Sequence, residues 1–280
     1  MRVYISVDME GCSGVLHREH TNPKGYDYET ARRLMTGEAD AAIRGAFEGG
    51  ATHVLISDSH GGNGMRNFVL EDLDPRAEVI IGSPRRLGQL EGLDSSFDAV
   101  LMVGYHTRHG SAGVISHTTN GQAVANLWIN SHLVGEIGLN ARLAGHFGVP
   151  ITLVTGDDKT IAEAQAELNE IEGVVVKEAI GRYSAQCLHP ERARNLIRQG
   201  AAIAVKKAPQ VKPFPVTNPV VTRLQFKESG SAESAARASG VTLVDDDTVE
   251  YKSEDMETAY AAYNTLVELW QPAWGGWIGG

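Results

Sequence analysis

Only two cysteines occur in 280 residues, Cys12 and Cys187. So far apart, they provide neither a disulfide framework nor a thiolate cluster for a metal. Cationic side chains are also in deficit: 25 Lys and Arg face 35 Asp and Glu, a formal net charge of −10 with His neutral. Nucleic acid and anionic membranes are bound through clustered Lys and Arg, so an acidic chain without a basic block suits neither partner. No apolar run approaches the ~20 residues of a membrane span. The opening Met1-Arg2-Val3-Tyr4-Ile5 lacks the apolar core and cleavage site of a signal peptide. A cytoplasmic protein with no nucleic-acid or membrane partner is expected. Several catalytic signatures are missing as well: the G-x-x-x-x-G-K loop, a G-x-G-x-x-G after a strand, the G-x-S-x-G elbow and H-E-x-x-H. His17-Arg18-Glu19-His20 resembles the last of these, but its spacing is wrong for one helical face.

What is present is enough apolar residue, 42%, to bury a sizeable core, and 31 glycines, above the usual ~7%. Short β-rich runs alternate with helical periodicity. Val3–Val7 reads as a strand, and a helix follows from about Tyr28 to Glu48, where Ala31, Met35, Ala39, Ala42, Ile43 and Ala46 share one face. Further strands are expected at His53–Ser57, Glu78–Gly82, Asp98–Gly104, Ala125–Asn130 and Ile151–Thr155, with a helix from about Gly135 to His146. Asp98–Gly104 is too continuously apolar for a sheet with one wet face. The alternation predicts an α/β fold with a mainly parallel sheet sandwiched by helices. After about residue 180, Pro209, Pro213, Pro215 and Pro219 punctuate a stretch with no long helix expected. A strand over Val220–Phe226, a small-residue helix near Ser231–Ala238, a strand pair near Val241–Tyr251 and a closing helix over about Asp255–Trp270 follow. The division expected is an α/β metal-binding catalytic domain, 1–180, and a smaller α+β domain, 181–280. The tail with Trp274 and Trp277 reads as packed on the body or at a subunit contact.

Polar residues collect at the carboxyl ends of the apolar strands. Asp8 and Glu10 follow the first, and two-residue spacing points both carboxylates to one side of an extended chain. Asp58-Ser59-His60, Tyr105-His106 and Asp157-Asp158 follow three others, and Glu136 opens the Gly135–His146 helix. Ligands bind beyond strand carboxyl ends in open α/β sheets, so these residues can converge. Asp8, Glu10, His60, His106 and Glu136 would suit one or two divalent ions. The two imidazoles favour zinc over magnesium or calcium, with manganese or cobalt as substitutes. Each residue alone has a plainer reading: Asp-x-Glu as a solvated turn, a histidine as a cap, Asp157-Asp158 as an N-cap pair. Cys12 reads as a small buried hydrophobe.

Five segments, Ser6–Gly11, Ser57–His60, Gly104–His106, Ser116–His117 and Val134–Asn140, together resemble the bacterial zinc-dependent D-aminopeptidase family, named from an enzyme of a dipeptide-transport operon. The likeness runs in order from residue 1 to Asp158 and more loosely to about Glu268. It implies two zinc ions per subunit, with Asp8 as the bridge, Glu10 and His60 completing one site, and His106 and Glu136 the other. His117 matches the family's catalytic histidine, described there as a nucleophile; an acid–base or oxyanion role is equally open. The resemblance further implies hydrolysis of short peptides with an N-terminal D-residue of the D-Ala type, and a self-compartmentalising ring of subunits, a decamer. His109 has no matched role. Few Lys or Arg lie near these motifs, Arg108 being nearest, which disfavours a polyanionic substrate. The alternatives are a two-metal hydrolase of another small amide or ester, and a non-catalytic small-molecule binding module.

Overall fold

In the computed structural model, which describes residues 1–168 and 170–270, the chain begins with β1 (Arg2–Val7), α1 (Arg18–Thr21), α2 (Tyr28–Gly49), β2 (His53–Asp58), β3 (Glu78–Ile80) and β4 (Ala99–Val103). It continues through β5 (Val124–Ile129), β6 (His132–Val134), α3 (Glu136–His146), β7 (Ile151–Asp157), α4 (Asp158–Leu168), β8 (Glu172–Gly181), β9 (Ser184–Cys187) and α5 (Pro190–Lys207). Last come β10 (Val220–Phe226), α6 (Ser229–Ala235), β11 (Val241–Asp245), β12 (Thr248–Ser253) and α7 (Met256–Glu268). The tail with Trp274 and Trp277 lies outside the described residues.

The first sheet has seven strands in the order β3-β2-β1-β4-β7-β8-β9, parallel except for the antiparallel β8–β9 pair. Side chains alternate across a strand, and β1 is buried on both faces. Val3, Ile5 and Val7 join Ala39, Ala42 and Ile43 of α2 and Ile197, Ala201 and Val205 of α5. Tyr4 instead joins Val100 and Met102 of β4, Leu127 of β5, Leu224 of β10 and Tyr260 of α7. Both faces are therefore covered, as the continuous apolar runs require. The second sheet, β11-β12-β10-β5-β6, is smaller and antiparallel.

The chain does not fill these layers in sequence order. β5 and β6 leave the first half of the chain to pair with β10, while β9 and α5, beyond residue 180, belong to the first sheet and its helical layer. A single cut at residue 180 does not separate the two sheets. The expectation of no long helix between about residue 180 and the strand at Val220 is corrected by α5, an 18-residue helix. Its signals are in the sequence: His189 caps the Glu191 N–H, Pro190 stands in the first turn, and Lys206 and Lys207 stand in the last. No described helix is long and apolar enough to cross a membrane.

From β1 the sheet grows one way through β2 and β3 and the other way through β4, β7 and β8. The order therefore reverses between β1 and β4. In open α/β sheets that reversal leaves a crevice at the strand carboxyl ends, where ligands bind.

Candidate metal centre

Two glycines let the ends of β1 and β4 close on each other. Asp8 N donates to Val103 O and Gly11 N to Gly104 O, both at 2.8 Å. A Cβ on Gly11 would lie 1.9 Å from the Tyr105 carbonyl oxygen. Gly104 has φ +70° and leaves no room either, its Cβ position being 2.2 Å from Asp8 O. Only glycine tolerates both the approach and the left-handed backbone. Asp8 and Glu10 are thereby set against His106, while the parallel register of β2 brings His60 alongside.

Backbone carbonyls fix the imidazoles. A carbonyl can only accept, so each facing ring nitrogen carries its proton. His60 donates from Nε2 to Thr21 O at 3.0 Å, leaving Nδ1 turned to Glu10 Oε2 at 3.0 Å and Asp8 Oδ1 at 3.3 Å. His106 donates from Nδ1 to Thr107 O at 2.9 Å, leaving Nε2 facing Glu136 Oε1 at 3.2 Å and Asp8 Oδ2 at 3.4 Å. Each Asp8 oxygen thus faces a different imidazole. His106 Nε2 is buried and has no hydrogen-bond partner. Ligands ~2.0–2.1 Å from a tetrahedral zinc stand roughly 3.3 Å from one another, which matches these separations. A histidine held by a carbonyl through its far nitrogen is the usual support for a metal ligand. The donor set fits a pair of borderline-soft divalent ions.

His117 completes the group. Its Nδ1 donates to Ile115 O at 2.9 Å, its ring stacks on His106 with centroids 4.1 Å apart, and its Nε2 lies 3.9 Å from Glu136 Oε1 and 4.0 Å from Glu10 Oε1. Potential donor atoms fall into two compact groups, Asp8 with Glu10 and His60, and His106 with His117 and Glu136. All six residues singled out from the sequence therefore meet in one cluster. Burial, then the neighbouring Glu10 carboxylate, push the Asp8 carboxyl up to about 6. Burial acts upward on Glu136 as well, but His106 and His117 hold it at about 2, and His60 holds Glu10 well below the usual carboxylate range. Burial opposes charge on His60 and His106, yet the facing carboxylates raise both. Burial and the adjacent His106 lower His117, favouring its neutral form.

Other strand-end residues are spent elsewhere. Asp58 accepts from Asn67 N and Nδ2 and from Phe68 N. Asp157 Oδ1 caps α4 through Thr160 N at 2.7 Å, as its N-cap reading predicts. Cys12 is buried and free. Among the described residues the His17–His20 segment joins no group of potential metal ligands; it leads into the Thr21 carbonyl that holds His60 and places Arg18 in the cavity wall.

Several residues that support the site were not singled out as site residues from the sequence. Gln89 Nε2 and Thr119 N each donate to Glu136, on Oε2 and Oε1, at 2.6 Å. Asn140 Nδ2 in turn holds Gln89 Oε1 at 2.7 Å, and Tyr260 OH holds Asn140 Oδ1 at 2.8 Å. Asn140 was findable, one helical turn from Glu136 on the same face; Gln89 has no local signal. The expected scarcity of cations is also corrected. The site opens into a cavity of about 520 Å³ lined by Asp8, Glu10, His60, His117 and Glu136 and also by Arg18 and Arg182.

Known proteins share this sequence and fold over nearly their whole length. The family model described as D-aminopeptidase matches residues 1–265. A D-aminopeptidase of Bacillus subtilis (strain 168) is 37% identical over 270 residues, covering 96% of this chain and 97% of that protein. The solved structure of the Zn-dependent D-aminopeptidase DppA from Bacillus subtilis, described as a self-compartmentalizing protease, superposes with a TM-score of 0.92 at 36% identity, covering 96% of this chain and 97% of that one. Sequence and fold agree over nearly the whole length, and the chain belongs to the D-aminopeptidase family.

Proposed function

We propose that this protein is a zinc-dependent D-aminopeptidase that releases the N-terminal D-residue, D-Ala for example, from short peptides. The observation that carries the reading is the unfilled charge at the switch point: Asp8 offers one oxygen to each of two imidazoles, and His106 Nε2, buried among carboxylates, makes no hydrogen bond. In this reading Asp8 would be shared between two ions, with Glu10 and His60 holding one and His106 and Glu136 the other. A divalent ion held there would supply Lewis acidity, enough to lower the pKa of a water from ~15.7 toward ~7.

The chain's own residues do the rest. Thr21 and Thr107 carbonyls keep His60 and His106 in the tautomers that present a lone pair. Gln89 and the Thr119 N–H orient the two oxygens of Glu136. His117, neutral and with its lone pair on Nε2, takes a proton at that atom and returns it to the leaving amine. The buried carboxylates attract the substrate's ammonium. A subunit ring, decameric by resemblance, and a cytoplasmic location belong to the same proposal; they are supported by the likeness to a self-compartmentalizing protease and by two unpaired cysteines.

Chelation tests the reading. Exhaustive removal of metal should abolish hydrolysis of D-Ala-D-Ala, and Zn²⁺ or Co²⁺ should restore it, with L-Ala-L-Ala a poor substrate throughout. Full activity with residual metal measured and absent refutes it.

A further inference from the structure

We infer that Arg18 and Arg182 form a carboxylate-binding site at the mouth of this cavity, which takes the C-terminal carboxylate of a short peptide substrate. The inference deepens the aminopeptidase reading and rests on it.

The two guanidiniums come from unrelated segments, Arg18 from the start of α1 and Arg182 from the turn between β8 and β9. Both are exposed and both line the cavity whose buried wall is acidic. The β8–β9 turn is tied to the His117 loop: Ile115 N donates to Arg182 O, and Arg182 Nη1 to Ser116 Oγ, each at 2.9 Å. Tyr183 links the two sides, its ring 5.7 Å from the Arg182 guanidinium and edge-on to His17 at 5.2 Å. A third cation stands nearby. Lys227 Nζ donates at 2.6 Å to the carbonyl of Gly121, another cavity-lining residue, and burial followed by Arg182 and Arg18 pulls its pKa down.

Among the described residues, neither Arg18 nor Arg182 is ion-paired with a carboxylate, although seven other arginines are. In a chain of net charge −10, like charges gathered without a counter-ion repel unless an anion joins them. The guanidinium fork fits a carboxylate, two N–H donors to two oxygens. A short peptide has the matching polarity, an ammonium for the acidic wall and a carboxylate for the mouth, and about 520 Å³ is a small-ligand volume. A polyanion would meet Asp8, Glu10 and Glu136 as well and be repelled.

The test compares D-Ala-D-Ala with D-Ala-D-Ala amide, which share the scissile bond and differ only in the terminal charge. Zinc-loaded wild type should show a kcat/KM ratio of acid to amide of about 10–100. In R18Q/R182Q the ratio should fall to within about threefold of one, the change lying in KM, and R182K should recover part of it. Equal efficiencies in wild type overturn the inference. So does an unchanged ratio in the double variant with both efficiencies lowered alike, since the arginines would then only brace the His117 loop. If wild type hydrolyses neither compound, the aminopeptidase reading fails and takes this inference with it.

Discussion

Two buried charged clusters share the segment from Asp8 to Val15, and they are built on opposite principles. At Lys177 every donor is used. Its ammonium, fully buried on β8, donates to the carbonyls of Glu10 at 2.6 Å, Val15 at 2.7 Å and Cys12 at 2.9 Å, which uses all three donors. Nearby, Glu38 accepts from Ser13 N on Oε1 at 2.8 Å while its Oε2 is buried without a hydrogen-bond partner, and burial lifts its carboxyl to about 7 against the pull of Ser13 and Lys177. At the metal centre the sum does not close: three buried carboxylates face two imidazoles, each of which spends one N–H on a backbone carbonyl. Glu10 belongs to both, its carbonyl to the first cluster and its carboxylate to the second. The difference teaches that a satisfied buried charge is framework, whereas one left short of positive charge awaits a ligand.

Substitutions can break or sharpen that contrast. The largest effect is expected on the unfinished side. Asp8→Ala should lose both zinc ions and essentially all turnover, yet the metal-free variant should be less stable than metal-free wild type by no more than about 1 kcal/mol, because relief of carboxylate crowding offsets lost contacts. His117→Ala should keep its zinc while kcat falls ~10²–10⁴ and KM moves much less. Metal stoichiometry and steady-state kinetics on both proteins decide this; loss of one zinc from the second makes His117 a ligand.

On the balanced side the effect should be on folding. Lys177→Met strands three carbonyls and removes the counter-charge of Glu38, which should cost about 3–5 kcal/mol, read from the denaturant midpoint. Zinc stoichiometry of the folded fraction should be retained. A variant as stable as wild type would erase the distinction between the clusters.

The smallest effect is a pH slope. The Glu38 carboxyl is raised from 4.5 to about 7 on folding, so between those values the native state binds more protons than the unfolded chain. Stability from this group is present below pH 4.5 and is lost as pH rises to about 7, by about 3 kcal/mol in total. Glu38→Gln should remove that component, and the wild-type minus variant difference across pH 4–8 isolates it from the other titrating groups. An identical slope in both proteins places the shift elsewhere.

Much of the fold was legible because its signals are local. The apolar runs of β1, β4 and β7, the one-faced periodicity of α2 and the polar residues directly after the strands all lie within a few positions of one another. Asp8, Glu10, His60, His106 and Glu136 stood out because a ligand-type side chain at a strand's carboxyl end is recognisable without knowing the neighbouring strand. The long helix α5 was missed although its capping histidine, its proline and its terminal lysines stand in the sequence, because its many small residues mute the apolar stripe. They are small because α5 lies hard against α2: a Cβ on Gly45 would come within 2.2 Å of Arg198 O.

Tertiary structure alone decided what meets what. The chain's pattern contains five ligand-type residues; only the strand order, reversing between β1 and β4, turns them into one cluster. Gln89, Lys177 and the two arginines of the cavity mouth have no distinguishing neighbours in sequence, and Lys177 reaches Glu10 across 167 positions. Hydrophobic patterning specifies which faces are buried, because burial follows from each residue's own side chain. The partners of a buried charge depend instead on where distant backbone carbonyls and carboxylates come to rest, and that is settled only when the sheets have packed.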